Sequence, residues 1–294
     1  MTDRRRRGFA GRFLRSPSAV AGLVLVGLIA ALGLFAKVIA PGPPFAFGFP
    51  SVGSPSRAHL FGTDAFARDM LVLVTRGIRT TLTVVGVVMA VSLPIGAGLG
   101  LTAGYAGGLL DAIITRIAEV FQAVPRFFLA LVVIAVYGPG VDKIILVLSL
   151  TSWTFLCRTM RAETLSVKHR AFVAAARAAG ARGPHIVARH ILPHVLPRAI
   201  VVVMLMGSRV ILIEAGLAFL GLGDRGKPSL GVLMSESQAY LRNAWWLSVI
   251  PGVAIVMLVL GLNLLSDGLS RALEIESDAG AAPRGWNSPG QHAA

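Results

Sequence analysis

Long apolar runs separated by short polar stretches dominate the chain, on a length scale too great for ordinary strands. Six runs, roughly 18–40, 80–103, 118–138, 141–160, 199–222 and 245–267, have the length at which an α-helix crosses a hydrocarbon core of about 30 Å. In lipid a lone segment must satisfy its own backbone, which a helix does. The pattern therefore predicts an all-α polytopic membrane protein with six transmembrane helices. The first run follows four arginines, Arg4 to Arg7. It exceeds the apolar core of about 7–15 residues in a signal peptide and no A-x-A site follows it, so it reads as a retained span. Pro and Gly crowd PGPPFAFGFPSVGSPS after it, as in an irregular loop. The expected division is a basic N-terminus at 1–17, a first helix and loop at 18–79, a five-helix core at 80–274, and a polar, disordered tail at 275–294. No internal repeat is visible.

Composition agrees with lipid surroundings. Only 14% of the residues are charged, mean hydropathy is +0.74 and 55% are hydrophobic, against about 25% charged in an ordinary soluble domain. The formal charge of +14 invites a nucleic-acid reading, but its distribution argues otherwise. Arg4, Arg5, Arg6, Arg7, Arg12 and Arg15 precede the first span, and Arg158, Arg161, Lys168, Arg170, Arg177, Arg182, Arg189 and Arg198 lie between the fourth and fifth. These are half of the 28 basic residues, and six spans put them on one side. Lys and Arg collect in cytoplasmic loops, so both termini are expected in the cytoplasm, although Arg57, Arg68, Arg76 and Arg79 weaken the bias. The basic excess reads as topology, and nucleic acid is not expected as a partner. Cys157 has no second cysteine to pair with.

Some spans carry polar residues. The third, RIAEVFQAVPRFFLALVVIAVYG, has too short a purely apolar part to cross, so it should begin near Ala118 and carry Arg126 to mid-membrane. On one continuous helix Arg116, Glu119, Gln122 and Arg126 share a face. The fifth span carries Arg209 and Glu214. Such groups avoid lipid, so Glu119, Gln122, Arg126, Arg209 and Glu214 either line a translocation path or form ion pairs between helices or subunits. Gly96, Gly100, Gly104 and Gly108 form a small-residue ridge suited to close helix packing. Trp245 and Trp246 open the sixth span, where amphipathic rings favour the interface. No nucleophile–base constellation or metal motif is present; His169, His185, His190 and His194 lack suitable companions.

The segment RAETLSVKHRAFVAAARAAGARGPHIVARHILPHVLPRA predicts a helix, a tight turn and a second helix. Alanine favours the first helix, Gly180 suits its left-handed end, and Gly183–Pro184 restarts the chain. Pro193 and Pro197 are expected to stop the second helix before the fifth span. From physics alone this unit either docks a partner or lies as an amphipathic hairpin on the membrane.

AAARAAG followed by HILP resembles the coupling loop (EAA loop) of ATP-binding-cassette importer permeases. HLFGTDAFARDML, LTAGYAGGLLD, EAGLAFLGLG, AWWLSVIPG and NLLSDGLSRAL, in that order, resemble the C-type permease subunit of the dipeptide, oligopeptide and nickel family. The likeness runs from about residue 17 to about 274. It implies a type I ABC importer permease fold with a cytoplasmic coupling helix at about 166–193, in a bacterial cytoplasmic membrane. The implied partners are a homologous but distinct permease subunit, cytoplasmic ABC ATPases that bind the ATP and Mg, and an external solute-binding protein. The resemblance assigns ATPase coupling to Ala174, Ala175, Arg177, Gly180 and Arg182, with Ala174 replacing the motif's acid and Ala67 replacing a glycine in the G-T-D segment. The implied activity is ATP-driven import of di- or oligopeptides, with nickel or another small solute as the alternative. This subunit itself is expected to be non-catalytic and to hold no cofactor. An ion-gradient carrier using Glu119 or Glu214 is the competing class.

GLGDRGKPSL, residues 221–230, spells both G-x-G-x-x-G and G-x-x-x-x-G-K. A phosphate loop needs Ser or Thr after the lysine, where Pro228 stands, and a dinucleotide site needs a β-α-β unit. The stretch is instead expected to be an external turn, with Asp224, Arg225 and Lys227 available to the binding protein.

Overall fold

The structure, a computed structural model, describes residue 13 and residues 16–280, with side chains through residue 273. Its regular elements are helices, apart from an isolated bridge between Thr63 and Asp69. Helix α1 (Pro17–Leu34) and the short α2 (Ala36–Ile39) lead to an irregular segment and then α3 (Met70–Ala106). Next come α4 (Gly108–Ala123), α5 (Arg126–Tyr137), α6 (Val141–Lys168), α7 (Ala171–Ala178) and α8 (Gly183–Ile186). A π-turn at Val187–Ile191 leads into α9 (Leu192–Leu217), and another at Ala218–Leu222 ends it. The chain finishes with α10 (Leu230–Ser237), a 3-10 turn (Gln238–Tyr240) and α11 (Trp246–Gly280).

Among the described residues five stretches are long and apolar enough to cross a membrane: Pro17–Leu34, Met70–Ala106, Val141–Lys168, Gly183–Leu222 and Trp246–Leu273. The sixth expected span is not one straight helix. Helices α4 and α5 satisfy the same test only as a pair bent by 71°. Pro125 explains the break: its ring removes a donor and drives the preceding residue from helical angles, and Val124 is extended at φ −83°, ψ 122°. The single polar face expected over 116–126 is thereby corrected, since Arg126 opens a different helix from Arg116, Glu119 and Gln122.

A second correction concerns the segment before the fifth span. Pro193 and Pro197 do not stop the chain before the fifth span; α8 continues through the π-turn into α9. Pro193 lies in the first turn of α9, where a missing amide is tolerated, and the wider π-turn absorbs the irregularity.

Packing centres on α3 against α6. A Cβ on Gly96 would stand 2.7 Å from the Trp153 carbonyl oxygen, and one on Gly100 2.5 Å from that of Cys157. Gly104 faces Thr164 equally closely, so three of the four ridge glycines seat α6 directly on the α3 backbone. Gly108 is not part of this seam; it starts α4 at φ +58°. On the far side α1 packs on α11, with Gly22 against the backbone of Gly261 and Leu265. Helix α9 lies between α3 and α11. Large apolar side chains such as Leu109, Val120, Leu212 and Val256 point outward from the bundle.

The segment before α3 is a built structure. Asp69 caps α3 by accepting from the Leu71 amide at 2.7 Å, and its other oxygen lies 2.8 Å from His59 Nδ1. Thr63 donates to the Pro50 carbonyl and accepts from the Gly53 amide. Arg68 binds Asp64 and Glu236 at 2.5 Å each, which ties this segment to α10. Helix α11 continues to Gly280, into the stretch expected as a tail. Residues 281–294 and the arginines before residue 16 lie outside the described residues.

Candidate functional site

At one end of the bundle the sequence builds a protruding elbow. Helix α7 buries Val173 and α8 buries Ile186, while Ala174, Ala175, Ala178, Ala179 and Gly180 stay exposed with Arg177 and Arg182. Gly180, at φ +81°, closes α7: its amide donates to Arg177 at 2.9 Å and that of Ala181 donates to Ala176 at 3.1 Å. This pair of bonds is the Schellman closure, which needs a left-handed residue at Gly180. The result is a capped tip covered by small, exposed side chains.

The tip is fastened to the bundle at Tyr105, the penultimate residue of α3. Lys168 Nζ donates to the Tyr105 carbonyl at 2.6 Å, and the Lys168 and Arg177 cations lie 5.7 and 5.6 Å from its ring centre. Gly183 leaves room for the ring, since a Cβ there would stand 3.2 Å from Tyr105 Cε1. Phe172 stacks on His194 at 4.7 Å, and His194 Nδ1 lies 2.7 Å from the His190 carbonyl oxygen. Helices α3, α6, α7 and α9 thus meet at the elbow. Nothing in the sequence pattern singled out Tyr105; its role depends on chain segments brought together in space.

The polar residues of the spans separate into three situations. Arg116 and Glu119 form an exposed pair at 3.0 Å. Glu214 is fully buried, accepts from Thr81 Oγ1 at 3.2 Å and is hydrogen-bonded by Ser229, so it ties α9 to α3 and to the start of α10. Arg209 lies five residues earlier, about 140° around the helix, and does not pair with it. Arg126, Arg158, Arg209 and Gln122 form the third group, on one side of α6. Arg126 donates to the Thr151 carbonyl at 3.3 Å, Arg209 lies over the Phe155 ring at 4.9 Å, and Arg158 donates to Gln122 at 2.9 Å. Thr151, Phe155 and Arg158 recur on one helical face.

At the opposite end, the 221–230 stretch leaves the second π-turn with Gly221 at φ +83°. Asp224 accepts from the Gly226 amide at 2.8 Å, which occupies its carboxylate in the turn, while Arg225 and Lys227 are exposed. Ser229 then caps α10, which folds back so that Gly231 lies against the Ala215 backbone. A cleft of about 280 Å³ opens there, lined by Phe66, Gly221, Arg225, Glu236 and Tyr240 among others. The sequence pattern missed α10, because eight residues are too few for a clear helical period.

Residues 96–275 match the profile of the binding-protein-dependent transport system inner membrane component, and residues 6–51 that of the N-terminal TM domain of oligopeptide transport permease C. The dipeptide transport system permease protein DppC of Alkalihalophilus pseudofirmus is 33% identical over 259 residues, covering 87% of this chain and 85% of that protein. DppC of Haemophilus influenzae is 34% identical over 272 residues, covering 89% and 92%. The glutathione transport system permease protein GsiD of Pectobacterium atrosepticum is 34% identical over 271 residues, covering 91% and 90%. Among solved structures, two inward-facing forms of the MetNI methionine ABC transporter align with TM-scores of 0.57 and 0.59 at 22% identity. They cover 68% and 69% of this chain and 96% and 97% of theirs, a likeness of fold.

Proposed function

The chain belongs to the family of binding-protein-dependent transport system inner membrane components, and on that premise we propose that it carries short peptides inward as one half of a two-subunit pore. It is a multi-pass inner-membrane permease subunit of the ABC importer class, whose members are non-catalytic membrane components. The relatives named for dipeptide transport span nearly its whole length and support peptides as the cargo. A distinct homologous permease completes the pore, an external binding protein delivers the peptide, and cytoplasmic ATPases bind the ATP and Mg. Both termini face the cytoplasm. The ion-gradient alternative has little to work with, since Glu119 is paired at the surface and Glu214 is locked among α3, α9 and α10.

The exposed Ala-Gly elbow at 171–186 carries the reading. Its small side chains suit a cleft in an ATPase, and its attachments to α3, α6 and α9 suit the transfer of motion. When the ATPases close around ATP, displacement of α7 is passed through Tyr105 and Val173 to the spans. The helices then rock and expose the pore to the other side.

Affinity purification tests the docking half. The wild-type chain should retain the ATPase, and Gly180→Pro combined with Arg177→Glu and Arg182→Glu should lose it while still reaching the membrane. A wild type without ATPase, or a triple variant that keeps it, overturns the elbow assignment. In the same preparations alanine at Asp224, Arg225 and Lys227 should lower peptide delivery and leave ATPase retention unchanged; loss of both removes the binding-protein contact from that turn.

A further inference from the structure

Several buried or helix-embedded arginines among the described residues have a carboxylate partner. Arg68 has Asp64 and Glu236, Arg161 has Asp111, Arg116 has Glu119 and Arg198 has Glu163. Arg126, Arg158 and Arg209 are among those that have none, and these three gather against one face of α6. Among the described residues none of the three makes an ion pair, although all lie within membrane-length stretches. A guanidinium has five donors. Arg126 uses one, on a carbonyl at 3.3 Å; Arg158 meets one amide oxygen; Arg209 has a ring face. A cation within a spanning helix is costly, and such residues typically face a wet cavity or a substrate path.

Their positions are coordinated. Thr151, under Arg126, and Phe155, under Arg209, lie one turn apart on α6, and Arg158 follows on the same face. Helix α5 touches both α6 and α9, and the bend at Pro125 sets Arg126 at the level of Thr151. Three helices therefore gather three positive groups along about 10 Å of the α6 axis, from Thr151 to Arg158. Glu214, five residues from Arg209, is committed to Thr81 and Ser229, and Glu163, five residues from Arg158, faces Arg198. Arg209 and Arg158 are exposed on the bundle surface and open to a group outside this chain.

We infer that Arg126, Arg209 and Arg158 form a carboxylate-recognising track in the pore that holds the C-terminal carboxylate of a peptide in transit. The assignment deepens the peptide-import reading and rests on it. Guanidinium forks match a carboxylate with two parallel bonds, which an ammonium does not. Arg126 and Arg209 receive the anion beside α5 and α9, and Arg158 takes it one to two turns further along α6. Each contact is partly open, so the peptide is held only weakly and can leave.

The test is uptake by the complete importer in proteoliposomes, with trialanine and trialanine C-terminal amide as the two probes. Wild type and variants share one binding protein, so its own preference cancels when acid-to-amide uptake ratios are compared. The Arg126→Gln plus Arg209→Gln variant should lower that ratio about tenfold, as expected for loss of charge-assisted hydrogen bonds. Lysine at both positions keeps the charge and loses the fork, so it should lower the ratio by less, about threefold, and it serves if the glutamine variant fails to assemble. An unchanged ratio in both variants overturns the track while leaving peptide import intact. Equal loss of both probes overturns it too, and assigns the arginines to an acid of the partner permease. A wild type that imports neither probe overturns the import reading and the track with it.

Discussion

Ala67 adopts a backbone conformation that side chains avoid. It sits at φ +58°, in a turn where its amide donates to the Asp64 carbonyl and Asp64 Oδ1 accepts from the Phe66 and Arg68 amides at 2.9 and 2.8 Å. The motif that this segment resembles carries glycine here, and the turn keeps its glycine-like geometry without one. Left-handed backbone costs an L-residue about 1–2 kcal/mol, and a glycine returns about 0.4–1 kcal/mol of that to the unfolded chain. Ala67→Gly should therefore stabilise by about 0.5–1 kcal/mol, and Ala67→Val should destabilise by more than that, because β-branched residues resist positive φ. Thermal unfolding in detergent reads both; a lower midpoint for the glycine variant contradicts the strain. The turn is held because Arg68, once placed, bridges Asp64 and Glu236, residues far apart in the chain.

Helices in this protein are decided by their faces as much as by their propensities. Gly98 and Gly100 share α3, but a Cβ on Gly98 meets nothing within 4 Å, whereas one on Gly100 strikes the Cys157 carbonyl oxygen and Met160. Gly98→Leu should leave the solubilised protein monodisperse. Gly100→Leu should force α3 and α6 apart and cost several kcal/mol, in the manner of core overpacking, with backbone in place of a yielding side chain. Size-exclusion profiles of the two variants compare them directly, and equal behaviour argues against the seam. The interval of four was legible in the sequence, and so were three of its four members. Gly108 has the right spacing but belongs to the next element, because the chain turns at Gly107 with φ +69°. Likewise the 71° bend between α4 and α5 follows a visible proline, yet hydropathy averaged over the run hides it.

Across the molecule, Tyr105 joins the tip of the elbow to the spans. Its carbonyl accepts from Lys168, its ring faces two cations, and Gly183 packs against its edge. Tyr105→Ala removes the ring and leaves the exposed tip unaltered. ATPase retention should persist while peptide moved per ATP hydrolysed falls several-fold, since cation–π contacts contribute about 0.5–2 kcal/mol each. Unchanged stoichiometry in the variant would show that motion reaches the spans by another route. A matching tie at the other end, Arg68 to Glu236, fastens the segment before α3 to α10.

Hydropathy and charge made the all-helical, membrane-spanning architecture legible, because the cost of bare backbone and of charge in lipid acts on each segment locally. The elbow was equally legible, since alanine, glycine and proline act on neighbouring backbone. Tertiary structure decided the partners of the polar groups. Arg126, Arg158 and Arg209 lie on three different helices, and Glu214 finds its hydroxyls on α3 and before α10. A charge in a membrane helix signals only that something must compensate it. Whether that is a buried hydroxyl, a carboxylate or a passing ligand depends on which helix faces meet, and that is a property of packing.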